Sequence, residues 1–217
     1  MVKLAINLFE VYPQIGMLNN KIEIFDLPVP KEINTEVINY LGNKGKWSFV
    51  LEQTPNASGQ FSEIITPNKI TDGGMALITY SRNNSIPNTV PDQYLNNFGD
   101  WIYFFCKERT DLKIQHLERL YWNLYSPGAS CMWHIDQDLG GYAGFHGSII
   151  YNLHTNDGGT EFEGDQKILA KEGQAVMFPS HLRHRGLPPE KNKWRVSLNI
   201  VVRIANSQVS MLSKKIS

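Results

Sequence analysis

Turn-forming residues divide the second half of the chain into short apolar segments. Six segments follow one another: "LERLYWNLY", "HGSIIYNLH", "GTEFEG", "QKILAKEG", "GQAVMFP" and "WRVSLNIVVR". Each is short for a helix, and glycine or proline stands at many of the junctions. A succession of short strands predicts an antiparallel sandwich or barrel. We therefore expect a jelly roll from about residue 117 onward.

The first half mixes helical and strand patterns. "KEINTEVINYLG" has apolar residues at helical spacing from Ile33 to Leu41 and is expected to end at Gly42. "PDQYLNNFGDWIYFFCKER" begins with Pro91 and Asp92, which favour the first turn of a helix. Strands are predicted for "VKLAINLF", "IEIFDLPVP" and "GGMALITYS". The predicted class is mainly β with flanking helices (α+β), and the helices pack on one sheet.

Length and composition favour a single domain. The chain has 217 residues, of which 41% are hydrophobic, so it can bury a core of its own. We find no linker rich in glycine, serine or proline that would separate two domains. We expect one domain over 1–217, in which 1–116 provide helical and strand support and 117–203 form the core that carries the site.

Charge and cysteine content restrict the partners and the compartment. The formal net charge is zero and the pI is about 7.0, which disfavours non-specific nucleic-acid binding but leaves a local basic groove open. Cys106 and Cys131 lack CxxC spacing, which favours reduced thiols and a cytoplasmic location. The amino-terminal apolar stretch is interrupted at Glu10 and Pro13, so neither a signal peptide nor a membrane span is predicted.

The stretch "SCMWHIDQD" contains the most informative motif. His134 and Asp136 are two residues apart, so on an extended chain both side chains project from the same face. "FPSHLRHRG" places His181 and His184 after the strand "GQAVMF". Two imidazoles and one carboxylate form the facial triad of non-haem Fe(II) oxygenases. The spacing alone leaves both later histidines open as the third ligand.

Four elements in order resemble the 2-oxoglutarate and Fe(II)-dependent dioxygenases, in particular the prolyl-4-hydroxylase-like branch. "NLYSPGASCMWHID" is similar to that family's first core strand and its H-x-D motif. "IIYNLHTNDGGTEF" is similar to the strand, loop and Gly-Gly that follow, and "EGQAVMFPSHLRHRGLPP" to the segment with the last metal histidine. "RVSLNIVVR" is similar to the strand that carries the basic residue for the co-substrate. The resemblance covers roughly residues 117 to 203 and implies a double-stranded β-helix core.

The resemblance implies the Fe(II) ligands His134, Asp136 and His184. In the family pattern, the last ligand lies several residues past the "FP" and is followed closely by glycine, which favours His184 over His181. His181 is then expected to be an exposed loop histidine. Arg203 is expected at the rim or in a structural role. A barrel mouth lined by three aromatic residues would keep the site dry: Trp133, Tyr142 and Phe145.

The resemblance also implies residues for the co-substrate. Arg195 would pair with the distal carboxylate of 2-oxoglutarate through two parallel charge-assisted hydrogen bonds. Many prolyl-4-hydroxylases have lysine there, whereas other branches use arginine. Ser197 and Tyr125 would contact the same molecule. Asn123 and Asn152 either join them or bond to neighbouring loops.

The implied reaction is hydroxylation of a peptidyl substrate, with proline as the leading choice, or of a free amino acid. The implied cofactors are Fe(II), 2-oxoglutarate as co-substrate, and dioxygen, with ascorbate as a further candidate. The products from 2-oxoglutarate would be succinate and carbon dioxide. No membrane partner and no oligomeric state are predicted.

Two alternatives remain open. The N-x-Y-x-P-G run before the H-x-D also resembles the AlkB-type nucleic-acid dealkylases, although zero net charge weighs against a nucleic-acid partner. The second alternative is a non-enzymatic jelly-roll or cupin-like metal-binding module. The Arg195 strand argues against that module, because simple metal binding needs no carboxylate clamp.

Overall fold

A computed structural model describes residues 21–50, 53–55, 61–63, 74–82, 89–129, 131–136, 145–191 and 194–205. Strands and two helices follow one another in these ranges. In chain order the elements are β1 (Glu23–Asp26), α1 (Lys31–Lys44), β2 (Ser48–Val50), β3 (Gln53–Pro55), β4 (Phe61–Glu63), β5 (Gly74–Ser81), α2 (Gln93–Lys107), β6 (Ile114–Tyr125), β7 (Phe145–Asn152), β8 (Gly159–Phe162), β9 (Gln166–Leu169), β10 (Gln174–Pro179), β11 (His184–Leu187) and β12 (Arg195–Ile204).

The strands form a large sheet and a small sheet, each antiparallel throughout. The large sheet has the order β1-β10-β7-β12-β6-β5-β2, and the small sheet has the order β11-β8-β9. The strands β3 and β4 pair separately as a hairpin. The chain passes from one sheet to the other between β7 and β8, between β9 and β10, and on either side of β11. This alternation between two facing sheets is the double-stranded β-helix predicted from the sequence.

Apolar side chains fill part of the space between the two sheets. Ile150, Val176 and Phe178 from the large sheet pack with Phe162 from the small one. The Phe162 and Phe178 rings meet edge to face, with centroids 4.9 Å apart. This apolar cluster fills one part of the barrel interior. Polar side chains line the rest of the inner face of the barrel.

The helices cover the outer face of the large sheet. Phe98 of α2 lies against Trp122 of β6 and Tyr151 of β7, with ring centroids 6.1 Å and 5.9 Å apart. Tyr151 also donates a hydrogen bond of 2.8 Å to Asn34 of α1. The predicted packing of the helices on one sheet is therefore confirmed, and the inner face of that sheet is left to the site.

Local sequence explains the position of α2. Asp92 caps the helix by accepting a hydrogen bond of 3.0 Å from the Leu95 amide. Gly99 lies where the helix crosses β6, and a Cβ there would come within 2.6 Å of the Leu120 side chain. The helix can therefore approach the sheet closely. Neither helix in the described ranges is long and apolar enough to cross a membrane.

The structure differs from the sequence predictions at a few elements. The first helix continues past Gly42 to Lys44, and β6 begins at Ile114 rather than at Leu117. The sequence did not predict β11, which is the strand that begins with His184. The strand predicted for "VKLAINLF" lies outside the described residues. The early strands β1, β5 and β2 share the large sheet with the core strands, and the single domain over 1–217 stays a prediction.

Candidate functional site

A Pro-Gly turn brings the H-x-D motif to the small sheet. β6 ends at Tyr125, and the Ala129 amide donates to the Ser126 carbonyl across a turn in which Gly128 has a φ of 78°. Glycine suits this position because a positive φ strains other residues. The turn redirects the chain so that His134 forms an isolated bridge with His184.

The bridge places the two histidine side chains next to each other. Each backbone amide donates to the other residue's carbonyl over 2.9 Å, and the imidazole centroids are 4.5 Å apart. The Asp136 amide donates to the Ser180 carbonyl over 3.0 Å, which folds the motif's second residue back toward the same point. One Asp136 carboxylate oxygen lies 3.7 Å from Nε2 of His134, and the other lies 3.7 Å from Nε2 of His184.

Hydrogen bonds fix the orientation of both imidazoles. Nδ1 of His134 lies 3.0 Å from the Met132 carbonyl oxygen, and Nδ1 of His184 lies 2.8 Å from the Leu182 carbonyl oxygen. Because a carbonyl only accepts, each Nδ1 carries the hydrogen and donates it. Each Nε2 lone pair is then free to bind a metal, as is typical of histidine ligands. Burial lowers the pKa of His184, which keeps this ring neutral near pH 7.

Several polar groups hold the Asp136 carboxylate in its charged form. Nδ2 of Asn199 lies 3.2 Å from one carboxylate oxygen and 3.4 Å from the other, so the amide donates to the carboxylate. Burial alone would raise the pKa of Asp136, but the electrostatic effects of His184, His134 and Arg119 and a hydrogen bond from Ser148 outweigh burial and lower the pKa to about 2. The carboxylate is therefore available as an anionic ligand.

The three side chains together are suited to one metal ion. Their ligand atoms all lie within 4.8 Å of one another, and both Asp136 and His184 are buried. Two imidazoles and one carboxylate are the donor set that suits Fe(II) while leaving coordination positions open for other ligands. The orientation of each Nε2 and the charged carboxylate fit that ion.

Arg195 forms the second part of the site. Its side chain is only 2% exposed, and the guanidinium lies 5.4 Å from the centroid of the Tyr125 ring. One terminal nitrogen donates to the Asn152 side-chain oxygen over 3.4 Å, while the buried Nε has no hydrogen-bond partner among the described residues. Within the described ranges no carboxylate pairs with this arginine. A buried, uncompensated cation is costly, so the position fits an anion supplied from outside the chain.

Tyr125 closes this pocket beside the small sheet. A Cβ at Gly186 of β11 would come within 2.8 Å of the Tyr125 hydroxyl, so any larger residue there would displace the Tyr125 ring. Burial raises the pKa of Tyr125 well above 10, and the phenol stays a neutral hydrogen-bond donor at physiological pH. The pocket thus presents one cation and one neutral donor.

The pairing of β12 with β6 and β7 places the other predicted co-substrate residues close to Arg195. Arg195 pairs with Tyr125, and the next inward position, Ser197, pairs with Asn123 on one side and Asn152 on the other. Asn152 bonds to Arg195 and to the Gln174 carbonyl, so its side chain is engaged with the protein. Ser197 is buried and Asn123 is half-buried.

Three other expectations have different outcomes. His181 is half-buried rather than fully exposed, and it is not part of the group formed with Asp136. Trp133 does not line the barrel interior: it neighbours His134, so it projects from the opposite face and packs 4.7 Å from the Arg185 guanidinium. Tyr142 and the side chain of Phe145 lie outside what the structure describes.

Sequence reasoning missed Asn199, Arg119 and Gly186. Asn199 lies two and four residues beyond Ser197 and Arg195 on the same strand face, so alternation along β12 could have identified it. Arg119, whose Nη2 is 3.8 Å from the Asp136 carboxylate, lies on the same face of β6 as Asn123 and Tyr125, so alternation could have identified it as well. The close approach of Gly186 to Tyr125 depends on contact between β11 and β6, which the sequence does not reveal.

Comparisons with known proteins agree with this geometry. Residues 120–203 match the sequence model of the 2OG-Fe(II) oxygenase superfamily. No curated protein matches the chain at the sequence level.

Several solved structures are similar in fold. A prolyl hydroxylase from Trichoplax adhaerens, in complex with a peptide fragment of the hypoxia inducible factor oxygen degradation domain, has a TM-score of 0.55 and 16% identity, over 87% of this chain and 86% of that one. A truncated viral collagen prolyl hydroxylase from Paramecium Bursaria Chlorella virus-1 has a TM-score of 0.54 and 14% identity. The match covers 85% of this chain and 90% of that one. A prolyl-4-hydroxylase from Pseudomonas putida has a TM-score of 0.53 and 15% identity. The match covers 87% of this chain and 95% of that one.

Proposed function

We propose that the chain hydroxylates a peptidyl substrate, above all at proline, or a free amino acid. The proposal starts from the match of residues 120–203 to the 2OG-Fe(II) oxygenase superfamily. One observation carries the proposal. A converged His-Asp-His group and an uncompensated buried arginine share the inside of one barrel. A metal-binding module would need only the first of these, whereas a 2-oxoglutarate-dependent dioxygenase needs both.

His134, Asp136 and His184 are the proposed ligands of Fe(II). Bound Fe(II), 2-oxoglutarate and dioxygen would supply the oxidative chemistry that yields succinate, carbon dioxide and a hydroxylated product. The protein's own part is to hold the ligand atoms on one side of the ion. The carbonyls of Met132 and Leu182 fix the rings, and Asn199 fixes the carboxylate.

Arg195 is the proposed clamp for the distal carboxylate of 2-oxoglutarate. Asn152 holds one guanidinium nitrogen, and the Tyr125 ring supports the guanidinium plane, so the clamp is oriented before the anion arrives. The Tyr125 hydroxyl is a candidate second donor to the same anion. Ser197 and Asn123 lie one step further along the inner face and would contact the middle of the co-substrate. Ascorbate as an auxiliary reductant stays a prediction.

The proposed substrate class is supported by similarity of fold to other proteins rather than by contacts with a substrate. The neighbours of similar fold include prolyl hydroxylases, one of them bound to a peptide. An AlkB-type dealkylase is the second candidate, because Asn123, Tyr125, Pro127 and Gly128 reproduce that branch's motif. The zero net charge of the chain argues against it, since a dealkylase must neutralise several phosphates.

A cytoplasmic location is also part of this proposal. Cys106 and Cys131 are unpaired. Burial raises the pKa of the Cys106 thiol to about 12 and that of Cys131 to about 11, so both stay protonated and unreactive. Reduced, protected thiols are compatible with a reducing compartment.

Succinate release distinguishes the candidates. The Fe(II)-loaded protein would be given 2-oxoglutarate with proline-containing peptides, free amino acids or methylated oligonucleotides. We expect stimulation by a peptide or an amino acid, and its loss in His184→Ala. Stimulation by an oligonucleotide, with loss of its methyl group and with binding that weakens roughly a thousandfold between about 50 and 200 mM salt for six phosphate contacts, would favour the dealkylase.

A further inference from the structure

Two buried serines lie beside the carboxylate of Asp136, and we refer to them as the serine pair. They are Ser148 of β7 and Ser180 of the turn after β10, and their hydroxyl oxygens are 2.8 Å apart. Ser148 also makes a hydrogen bond to the Asp136 carboxylate. Because a carboxylate only accepts, Ser148 gives its one hydroxyl hydrogen to Asp136, and its oxygen accepts from Ser180. The hydrogen bonds therefore run in one direction, from Ser180 through Ser148 to Asp136.

Packing alone does not explain a serine at position 148. The residues opposite it on the neighbouring strands are Phe178 of β10 and Val201 of β12, both of them buried and apolar. A buried hydroxyl in such surroundings costs free energy unless it is hydrogen-bonded. An aliphatic side chain would fill the same space without that cost. The bonds to Ser180 and Asp136 are therefore the physical reason for a hydroxyl at this place.

The H-x-D segment has little backbone support of its own. It joins the small sheet through an isolated bridge at His134 and not as a strand. Beyond that bridge, the Asp136 amide donates to the Ser180 carbonyl over 3.0 Å. Ser180 thus acts on Asp136 in two ways. Its carbonyl holds the Asp136 backbone, and its hydroxyl acts on the Asp136 carboxylate through Ser148.

The turn that carries Ser180 also orients a second proposed ligand. The Ser180 amide donates to the His146 carbonyl over 3.0 Å, which ties the turn to β7. The Leu182 amide donates to the Pro179 carbonyl over 2.9 Å and closes the turn. The Leu182 carbonyl in turn accepts from Nδ1 of His184. A displacement of this turn would therefore move both the carboxylate and the buried histidine of the site.

We propose that Ser180 and Ser148 are positioning residues for the metal, and that Ser180 holds the Asp136 carboxylate in place through Ser148. This inference rests on the proposed function, because it takes Asp136 and His184 as ligands of Fe(II). Hydrogen bonds in a chain polarise one another, so Ser148 is a stronger donor to Asp136 when Ser180 donates to Ser148. The Ser180 hydroxyl therefore contributes to metal binding without contact with the ion.

Deletion of each hydroxyl tests the serine pair. The variants are Ser148→Ala, Ser180→Ala and the double variant, and none of them removes the Ser180 carbonyl. Thr79→Val is the matched control, because Thr79 is a buried residue whose hydroxyl accepts a hydrogen bond of 3.2 Å from Trp122. Trp122 packs against α2, so this bond lies on the helix-covered face of the large sheet.

Three measurements separate positioning from stability. Calorimetric titration with Mn(II) gives the metal affinity, and thermal unfolding of the metal-free protein gives the Tm. The electron paramagnetic resonance spectrum of bound Mn(II) reports the symmetry of its ligands. A hydroxyl with a purely structural role would change the Tm and leave the other two measurements as they are.

We expect Ser148→Ala to weaken Mn(II) binding by about tenfold or more, the usual effect of losing a partner that orients a ligand. Ser180→Ala should weaken it by about threefold to tenfold, which corresponds to one neutral hydrogen bond. In the Ser148→Ala background the same substitution should change the affinity less than about twofold, because its effect passes through Ser148. The spectrum should change in both single variants, whereas Thr79→Val should lower only the Tm.

Three outcomes would each overturn the inference. They are an unchanged Mn(II) affinity in Ser180→Ala, single effects that multiply in the double variant, and an equal loss of affinity in Thr79→Val. The proposed function fails on a different measurement. It is wrong if the wild-type protein binds the metal but, loaded with Fe(II), forms no succinate from 2-oxoglutarate with any of the candidate substrates.

Discussion

Asn199 donates a hydrogen bond to the Asp136 carboxylate across the barrel, although 63 residues separate them. The amide nitrogen lies between the two carboxylate oxygens, 3.2 Å from one and 3.4 Å from the other. Asn199 belongs to β12, the same strand that carries Arg195. One strand therefore orients a proposed metal ligand and supplies the proposed co-substrate clamp, which couples the two halves of the site through rigid backbone.

Removal of the Asn199 amide should weaken metal binding without unfolding the protein. Asn199→Ala leaves Asp136 with fewer donors, and loss of a partner that orients a ligand typically costs about 10- to 100-fold in metal affinity. Calorimetric titration with Mn(II) measures this. Asn97→Ala, on the exposed face of α2, is the matched control and should bind the metal as the wild type does. An unchanged affinity in Asn199→Ala would show that Asp136 needs no such support.

The two candidate histidines should respond differently to replacement. His184→Ala removes a buried Nε2 that lies 3.7 Å from the Asp136 carboxylate, so metal binding should be abolished. His181→Ala should leave the affinity nearly intact, since His181 is not part of the converging group. Metal content after dialysis against Fe(II) under anaerobic conditions distinguishes the variants. The reverse result would assign the third ligand to His181.

Replacement of Arg195 should affect the co-substrate and spare the metal. Arg195→Ala removes the charged partner of a partly buried dianion, which costs about 2–5 kcal/mol. The affinity for 2-oxoglutarate should therefore fall by roughly 30-fold or more. Calorimetry on the Mn(II)-loaded protein measures the loss, and Arg183→Ala serves as the control. If the affinity is unchanged, the clamp lies elsewhere, and Arg203 is the first residue to test.

The close approach of Gly186 to Tyr125 leads to a steric prediction. In Gly186→Ala the new methyl group would lie within 2.8 Å of the Tyr125 hydroxyl, so the ring must move away from Arg195. We expect weaker 2-oxoglutarate binding and a lower Tm. Gly42→Ala is the matched control, because it meets nothing within 4 Å on α1 and should stabilise the helix by up to about 1 kcal/mol. A Gly186→Ala protein with normal affinity would mean that Tyr125 does not shape the pocket.

Local patterns were sufficient to predict much of the fold. Alternation and turn residues predicted β7, β8, β10 and β12, and Asp92 together with apolar spacing predicted α2. The strand β11 was missed because "HRGL" is short and polar and contains glycine. Its extended conformation is set by pairing with β8, from His184 opposite Phe162 to Leu187 opposite Gly159, and no local sequence signal records that pairing.

The site shows the same division between local and long-range information. The spacing of His134 and Asp136 was visible in the sequence, and so was the inward face shared by Arg195 and Ser197. Trp133 was wrongly predicted to line the barrel mouth, although alternation beside a ligand histidine points it the other way. Alternation along β6 could have placed Arg119 on the inward face, but its contact with Asp136 arises from a three-dimensional approach of β6 to the H-x-D segment, so that contact could not be predicted from spacing.

The central claim is that one barrel holds a metal ion and 2-oxoglutarate together, and anomalous diffraction tests it most directly. Crystals grown with Mn(II) and 2-oxoglutarate without oxygen should show one strong anomalous peak. We expect it about 2.0–2.3 Å from Nε2 of His134, Nε2 of His184 and a carboxylate oxygen of Asp136, within the usual range for such ligands. The distal carboxylate of 2-oxoglutarate should contact Arg195. A metal peak away from these three atoms, or 2-oxoglutarate bound without contact to Arg195, would contradict the account.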